Sequence, residues 1–325
     1  MAQQHPGRKV AAPVLKLSAT LLVVAVLIYK LGWQSIIETI GNANPAWLLV
    51  AFGIFLISGL LGVVQWRILL ENRGIPLPFW RSFKLYFIGM FFNNFILGGF
   101  VGDAVKVASI RSRESRGYEG LAATFLDRFA GLWAMCGFAV VGSVVLLNRG
   151  VLTEGKIATA IIALFAAFAL FAGIMLFLML KPLQNLFFSV SDRLSIMRKV
   201  KLREIISEML IEAKDLKILT SISGLSLLIQ FLRISVHVVT AGALGLLTAA
   251  NFQYFFIFVP IIAMLMTIPL PFGVREAAGG TLFALAGFPT EAAFVMGFLA
   301  SLVGISASLL GGVFFVTERV YRAGK

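Results

Sequence analysis

Six long hydrophobic stretches dominate the chain, and each is long enough to cross a lipid bilayer as a helix. A hydrocarbon core of about 30 Å requires about 20 apolar residues in helical conformation. The stretches that meet this requirement lie at about 14–31, 46–66, 119–148, 157–181, 218–247 and 290–317. The pattern therefore predicts an all-α polytopic membrane protein with about six spanning helices.

The first of these stretches also has the charge pattern of a secretory signal peptide. Arg8, Lys9 and Lys16 precede the apolar residues 17–28. A signal peptide ends at a cleavage site of small residues, whereas this stretch is followed by Tyr-Lys-Leu-Gly-Trp. We therefore expect the stretch to remain attached as the first span.

Two further hydrophobic stretches, at about 83–101 and 255–270, are interrupted and run directly into charged residues. The first leads into Asp103 and the second into Arg275. The glycine and proline residues that interrupt them are Gly98, Gly99, Gly102, Pro269, Pro271 and Gly273. Paired interrupted segments in the two halves of a membrane protein indicate the binding site of a transporter.

The distribution of Lys and Arg predicts how the chain is oriented. Basic residues are concentrated at the N-terminus, at 67–84, at 111–116, at 181–217 and at the C-terminus. Short cytoplasmic loops carry an excess of such residues. We therefore expect both termini to be cytoplasmic, in the inner membrane of a bacterial cell.

With the basic loops in the cytoplasm, each interrupted stretch has to turn back before it crosses the membrane. The segment 83–110 then enters and leaves from the cytoplasmic side, and 253–288 enters and leaves from the opposite side. This arrangement predicts one transmembrane domain with two re-entrant hairpins and inverted pseudo-repeats at 14–148 and 157–317. The alternative is eight spanning helices, which moves the basic cluster at 111–116 outside the cell.

The segment 182–217 is the longest polar part of the chain. Its apolar residues recur at steps of one, three or four, which places them on one helical stripe. They are Leu202, Ile205, Ile206, Met209, Leu210 and Ala213. The spacing predicts an amphipathic helix on the cytoplasmic membrane surface.

Two other residue types are given roles by this topology. Asn93 and Asn94 precede the first interruption, where their side-chain amides can satisfy backbone groups that the broken helix frees. Tryptophans near the predicted ends of spans are expected to be interfacial anchors. They are Trp33, Trp47, Trp66 and Trp80.

Composition adds to this picture mainly by exclusion. The chain is 59% hydrophobic, and its formal charge of +13 lies beside the spans rather than on a folded basic domain. We therefore expect no nucleic-acid partner.

A single cysteine, Cys136, excludes an intrachain disulfide and a thiolate metal cluster. Without a nucleotide or nucleophile motif, we expect no cofactor, no metal and no enzymatic activity. An intramembrane hydrolase or transferase that uses His237 with a carboxylate is the enzyme alternative.

Eight titratable residues lie at predicted membrane depth, where charge is costly and usually marks a substrate path. They are Asp103, Lys106, Asp127, Arg128, Arg233, His237, Arg275 and Glu276. Asp103 and Lys106 are three positions apart, and Arg233 and His237 are four apart, so each pair shares a helix face. The set forms either a translocation site or architectural ion pairs such as Asp103 with Lys106.

Two motifs resemble signatures of a known family. The sequence from Phe91 to Asp103, followed by Lys106 and by 123–128, resembles the first signature of the lysylphosphatidylglycerol synthase transmembrane-region family, and 269–278 resembles the second. The resemblance extends over nearly the whole chain. It implies a flippase-like domain that moves lipids or lipid-linked groups between leaflets, without the soluble synthase domain found in some members. The positions it marks are Asp103, Lys106, Asp127, Arg128, Arg275 and Glu276.

Together these features predict a lipid translocase whose partner is a membrane phospholipid or a lipid-linked substrate. The cations expected to attract its phosphate are Lys106, Arg233 and Arg275. The acids expected to orient them, or to bind a head-group amine or a proton, are Asp103, Asp127 and Glu276. The inverted repeat would bring the two hairpins together near the bilayer midplane. Two alternatives remain open, an accessory scaffold that holds lipid-modifying enzymes and a secondary transporter of a small solute.

Overall fold

The computed structural model of the protein describes residues 33–95, 100–114, 116–148, 215–265 and 274–323, with a few isolated helical positions between 162 and 173. The predicted span at 14–31, most of the predicted span at 157–181, and all but the end of the predicted amphipathic segment at 182–217 lie outside this description. The elements are α1 (Trp33–Gly41), α2 (Pro45–Asn72), α3 (Phe79–Phe95), α4 (Val101–Glu114), α5 (Gly117–Asn148), α6 (Leu216–Ala243), a 3-10 turn (Phe252–Tyr254), α7 (Phe255–Leu265), α8 (Val274–Leu285) and α9 (Thr290–Ala323).

Four of these helices, α2, α5, α6 and α9, are long and apolar enough to cross a membrane. They coincide with four of the six predicted spans, which confirms those predictions. Within the described residues every regular element is helical. The chain is therefore an integral, multi-pass, all-α membrane protein.

A side-chain cap fixes where α2 begins. Asn44 accepts a hydrogen bond from the Ala46 amide at 3.0 Å, which satisfies one free amide at the start of α2. The Asn44 backbone amide also donates to the Ala243 carbonyl at 2.8 Å, at the end of α6. The start of α2 therefore lies beside the end of α6, and these two spans are antiparallel.

The helices α3 and α4 form an antiparallel hairpin. Their backbones meet at Gly89 and Gly102, and Arg81 at the start of α3 forms an ion pair of 2.9 Å with Glu114 at the end of α4. The chain therefore leaves this hairpin on the side where it entered, as the re-entrant prediction requires. An eight-span topology would instead carry 83–101 across the membrane.

Gly102 has a different role from the one its sequence context suggested. It lies inside α4 rather than in a turn, and a Cβ atom there would collide with the Gly89 carbonyl oxygen. The glycine therefore allows two helix backbones to approach closely. Gly98 and Gly99 lie outside the described residues.

The helices α7 and α8 form a second antiparallel hairpin. The ring centroids of Phe255 and Phe283 are 4.8 Å apart, and Gly279 of α8 lies against Ile262 of α7. The start of α7 thus lies against the end of α8, and the end of α7 lies against an earlier residue of α8. The predicted break residues Pro269, Pro271 and Gly273 lie outside the described part of the chain.

The two halves are intertwined rather than side by side. The most extensive interface joins α2 to α6, while α3 of the first hairpin packs on α9 and α7 of the second packs on α5. The contacts have a symmetry: α2 corresponds to α6, α3 to α7, α4 to α8 and α5 to α9. Under this exchange the α2–α6 interface is unchanged, and each other extensive contact among these helices has a counterpart. A pseudo-two-fold axis produces such a pattern. It supports the inverted repeat, whose boundaries stay a prediction.

One element, α1, was not predicted. Ile36 on this short helix packs with Phe294, Val295 and Leu299 of α9. Its apolar residues follow one another at helical spacing, but the helix is too short to register as a span. It covers the start of α9.

Candidate functional site

The first turns of α4 carry a buried ion pair. Lys106 Nζ lies 3.1 Å from Asp103 Oδ1, and the lysine side chain is only 4% exposed. Asp103 stands in the first turn of α4, where the helix dipole favours negative charge. This pair is the one that the spacing of the two residues predicted.

Two aromatic rings from other helices enclose the Lys106 ammonium group. Its Nζ atom lies 5.1 Å from the ring centroid of Trp66 on α2 and 4.9 Å from that of Tyr86 on α3. Both distances are within the range of cation–π attraction. Trp66 donates a hydrogen bond of 3.1 Å to Thr124 on α5, which fixes its orientation. Three helices thus hold the lysine in place.

The prediction that Trp66 is an interfacial anchor is wrong. The residue is fully buried, whereas Trp47 and Trp80, given the same role, are exposed. The reason is the close packing of α2 against α3 and α5, which turns Trp66 toward a buried cation. The Trp33 side chain lies outside the description.

Asp103 also binds a second cation. Arg128 on α5 donates a hydrogen bond from Nε to Asp103 Oδ2 at 2.8 Å. Its side chain is 43% exposed, in contrast to that of Lys106. The Asp103 carboxylate therefore joins one enclosed cation, Lys106, to one accessible cation, Arg128. It fixes the position of the arginine Nε atom.

Asp127 belongs to a separate buried network, although it precedes Arg128 in the chain. The Gln65 amide of α2 donates to Asp127 Oδ1 at 3.0 Å, and the Ser226 hydroxyl of α6 donates to Gln65 Oε1 at 2.8 Å. The network links three spans. Gln65 and Ser226 were missed as site residues, although a polar side chain inside an apolar span was a usable signal.

Asn93 behaves as predicted. Its side-chain oxygen accepts a hydrogen bond of 2.8 Å from the Gly102 amide, one of the free amides at the start of α4. The Asn93 side chain thus joins α3 to α4 at the residue that precedes Asp103.

Arg233 and His237 share a face of α6 but reach different surroundings. Arg233 Nε is buried and has no hydrogen-bond partner among the described residues. His237 instead lines a cavity of about 20 Å³ with Ile262, Gly279 and Phe283 of the second hairpin. His237 therefore lies at the second hairpin.

The other predicted residues lie where the structure gives less detail. Arg275 and Glu276 are in the first turn of α8, and their side chains are outside the description. The predicted approach of these residues to Asp103 or Lys106 stays a prediction. Among the described side chains, no group of three or more His, Cys, Asp or Glu residues is arranged to hold a metal ion.

Comparisons with known proteins agree with this architecture. A UPF0104 membrane protein of Pyrococcus horikoshii is 32% identical over 95 residues, a match that covers 29% of this chain and 28% of that protein. The aligned part is thus little more than a quarter of the relative's length. No solved structure matches the chain. The family model for the lysylphosphatidylglycerol synthase transmembrane region matches residues 14–315. This match covers nearly the whole chain, and the protein belongs to that family.

Proposed function

We propose that this membrane protein moves a lipid or lipid-linked head group between the two leaflets, with the first hairpin at the polar part of the path. The observation that carries the proposal is the cluster of Asp103, Lys106 and Arg128. It joins the buried charge of a hairpin that turns back within the bundle to an accessible arginine on the neighbouring span, α5. Charged groups at membrane depth typically line substrate routes.

Each of the three residues has a different role in this proposal. Lys106 is enclosed by its carboxylate and two rings, so it is suited to hold Asp103 in position rather than to meet a substrate. Asp103 in turn orients Arg128. Arg128 is accessible enough to contact a head-group phosphate, for which the guanidinium group is well matched.

The second hairpin supplies the other half of the path in this proposal. Arg275 and Glu276 stand at the beginning of α8, at the end of the helix that attracts anions. The intertwined packing, in which each hairpin contacts the last span of the opposite half, supports coupled movement of the two hairpins.

The proposed path is tested by lipid exchange in vesicles that contain the purified protein. Head-group-labelled lipids are added, and the fraction protected from an impermeant quencher is followed with time. We expect exchange in the native protein and a rate lower by about tenfold in Arg128→Gln, because a charged hydrogen bond is lost. Lys217→Gln removes one charge at the exposed start of α6 and serves as the matched control. Absence of exchange for every lipid in a broad panel contradicts the proposal.

The proposed orientation places the open end of the first hairpin in the cytoplasm of a bacterial cell. Arg81 and Arg116 lie at this end, and basic residues favour the cytoplasmic side. A cysteine introduced at the exposed Ser112, in a Cys136→Ala background, should react with an impermeant reagent only after the inner membrane is opened. Reaction in intact inner membranes contradicts this orientation.

A further inference from the structure

The two buried acids of the charged region, Asp103 and Asp127, are held in different ways. Asp103 is engaged at both carboxylate oxygens, Oδ1 with Lys106 Nζ at 3.1 Å and Oδ2 with Arg128 Nε at 2.8 Å. Asp127 forms no ion pair among the described side chains, and its Oδ1 atom accepts one hydrogen bond, from the Gln65 amide at 3.0 Å. Protonation of Asp103 would remove the counter-charge of two cations. Asp127 is therefore the acid that can take up a proton without breaking an ion pair.

The hydrogen bonds of Asp127 are compatible with both of its charge states. Gln65 of α2, which donates to Asp127, accepts in turn from the Ser226 hydroxyl of α6 at 2.8 Å, so this chain is uncharged. A protonated carboxyl group keeps a carbonyl oxygen, so Asp127 can carry a proton on Oδ2 and still accept from Gln65 at Oδ1. Asp127 is 9% exposed, so it is not sealed from its surroundings. The site can therefore gain or lose a proton without rearrangement of the chain.

The charged residues of the other spans packed on α5 lie away from this chain. On α2, Arg67 follows Gln65 by two positions, which places it on another face of the helix, and it is paired with Glu71. On α6, Arg233 follows Ser226 by seven positions, or about 10 Å along the helix axis. The helix α7 contains no charged residue.

The charged groups that act on Asp127 come from α4 and from its own helix. They are Asp103 and Lys106 on α4 and Arg128 on α5. Tyr86 of α3 is also within range, but its phenol is uncharged at neutral pH. With Asp127 ionised, two carboxylates offset two cations. The formal charge of this cluster is then zero.

An anion at Arg128 makes the same cluster negative. The Arg128 side chain is 43% exposed, and it is the group that meets the head-group phosphate in the proposed function. A phosphodiester there adds one negative charge next to Asp127, the preceding residue in the chain. Charges this close are little screened, because the Debye length is about 8 Å at physiological ionic strength. One proton on Asp127 restores a formal charge of zero.

We propose that Asp127 takes up a proton when an anionic lipid head group binds at Arg128. This assignment deepens the proposed function and rests on it, because it names the ion that accompanies the head group. The proton comes from water and forms one O–H bond at Asp127 Oδ2, and it returns to water when the head group leaves. Linkage between two ligands is reciprocal, so a lower pH strengthens head-group binding to the same extent.

The test measures proton uptake by the full-length protein in detergent, without any transport step. A pH-indicator dye in weakly buffered solution near neutral pH records the protons taken up as a probe is added. The probes are a short-chain phosphatidylglycerol, a diacylglycerol with the same acyl chains, and dimethyl phosphate as a water-soluble phosphodiester. We expect uptake of up to about one proton per bound phosphatidylglycerol and none with the other two probes. The affinity for phosphatidylglycerol should rise by up to about tenfold for each unit by which the pH is lowered.

Variants then locate the proton. Asp127→Asn has the charge of the protonated acid, so it should bind phosphatidylglycerol without proton uptake and with an affinity that no longer depends on pH. Asp127→Glu keeps a titratable group and should retain the uptake. Asp215→Asn is the matched control, because Asp215 is exposed and caps the start of α6, which asparagine can also do. If Asp127→Asn does not fold, the infrared band of a carboxylic acid decides the question, since the native protein should gain it when phosphatidylglycerol is added.

Three results would overturn the assignment: binding of phosphatidylglycerol to the native protein without proton uptake, uptake that persists in folded Asp127→Asn, and equal uptake with dimethyl phosphate. Failure of the proposed function is distinguishable from these. Proton-linked binding without lipid exchange in vesicles refutes transport and leaves the proton site standing. Lipid exchange without proton uptake on binding refutes the proton site and leaves transport standing.

Discussion

The two hairpins share a topology but are held together by different interactions. In the first, α3 and α4 meet at Gly89 and Gly102 and are joined by the Arg81–Glu114 ion pair. The Asp103–Lys106 pair lies within α4, beside the glycine contact. In the second, α7 and α8 meet through aromatic rings, with Phe283 at the centre. The described contacts of the two hairpins therefore differ in chemistry.

The first hairpin is stabilised by directional interactions, and the second is stabilised by non-directional ones. Phe283 packs its ring against Phe255, Phe258 and Phe288 at centroid distances of 4.8, 5.2 and 5.2 Å. Such contacts are worth about 0.5–1.5 kcal/mol each beyond the burial of the rings, and they tolerate small shifts. The ion pairs of the first hairpin depend on the positions of individual atoms. An interrupted helix in the sequence thus predicts a hairpin, but not how the hairpin is stabilised.

The largest expected effect comes from removing the shared carboxylate. Asp103→Ala leaves the buried Lys106 ammonium group without its counter-ion, which should lower the free energy of unfolding by about 3–5 kcal/mol. The corresponding conservative change in the second hairpin, Phe283→Leu, should cost less because an apolar side chain is retained. Unfolding in mixed micelles measures both. Equal losses would show that the two hairpins do not differ in this way.

A smaller loss is expected from filling the helix contact of the first hairpin. Gly102→Ala places a methyl group against the Gly89 carbonyl, which is backbone and cannot move aside, and we expect a loss of about 1–3 kcal/mol. Gly279→Ala in the second hairpin meets only the flexible end of Ile262, at 3.2 Å. The melting temperature of Gly279→Ala should therefore stay close to the native value. A larger decrease in Gly279→Ala than in Gly102→Ala contradicts the distinction.

The smallest effect is expected at Lys106. Lys106→Met removes a buried cation but leaves Asp103 paired with Arg128, so the change in the free energy of unfolding should be about 1 kcal/mol. The same unfolding measurement checks it, with Lys106→Glu as the contrasting variant that places two carboxylates together. If Lys106→Met is as damaging as Asp103→Ala, the lysine and not the carboxylate is the centre of the cluster.

The hydrophobic pattern was sufficient to predict the spans that the structure describes. The helices α2, α5, α6 and α9 start within a few residues of the predicted positions because bilayer thickness sets a minimum length that the sequence displays directly. The first hairpin followed from the interrupted apolar stretch together with the distribution of basic residues. The Asp103–Lys106 pair followed from helical spacing alone.

The partners supplied by distant helices were not predictable in this way. A tryptophan near the end of a span has the same local pattern at an interface as it has around a buried cation, so Trp66 was misassigned. The chain from Ser226 through Gln65 to Asp127 depends on how three spans are rotated against one another. Rotation about a helix axis is fixed by packing, and packing cannot be read from one hydrophobic stretch.

The location of the charged cluster has a consequence for the order of biosynthesis. Asp103, Lys106 and Arg128 belong to the first half of the chain, and so do the two rings that enclose the lysine. Ser226, in contrast, follows Gln65 by 161 positions. At about 5–20 residues per second, roughly 10–30 s of translation separate these two residues. During that interval Asp103 can already neutralise its cations, and Gln65 can already bind Asp127. The first half is thus able to enter the membrane with these ion pairs formed, and the second half is added around a polar centre that exists before it is made.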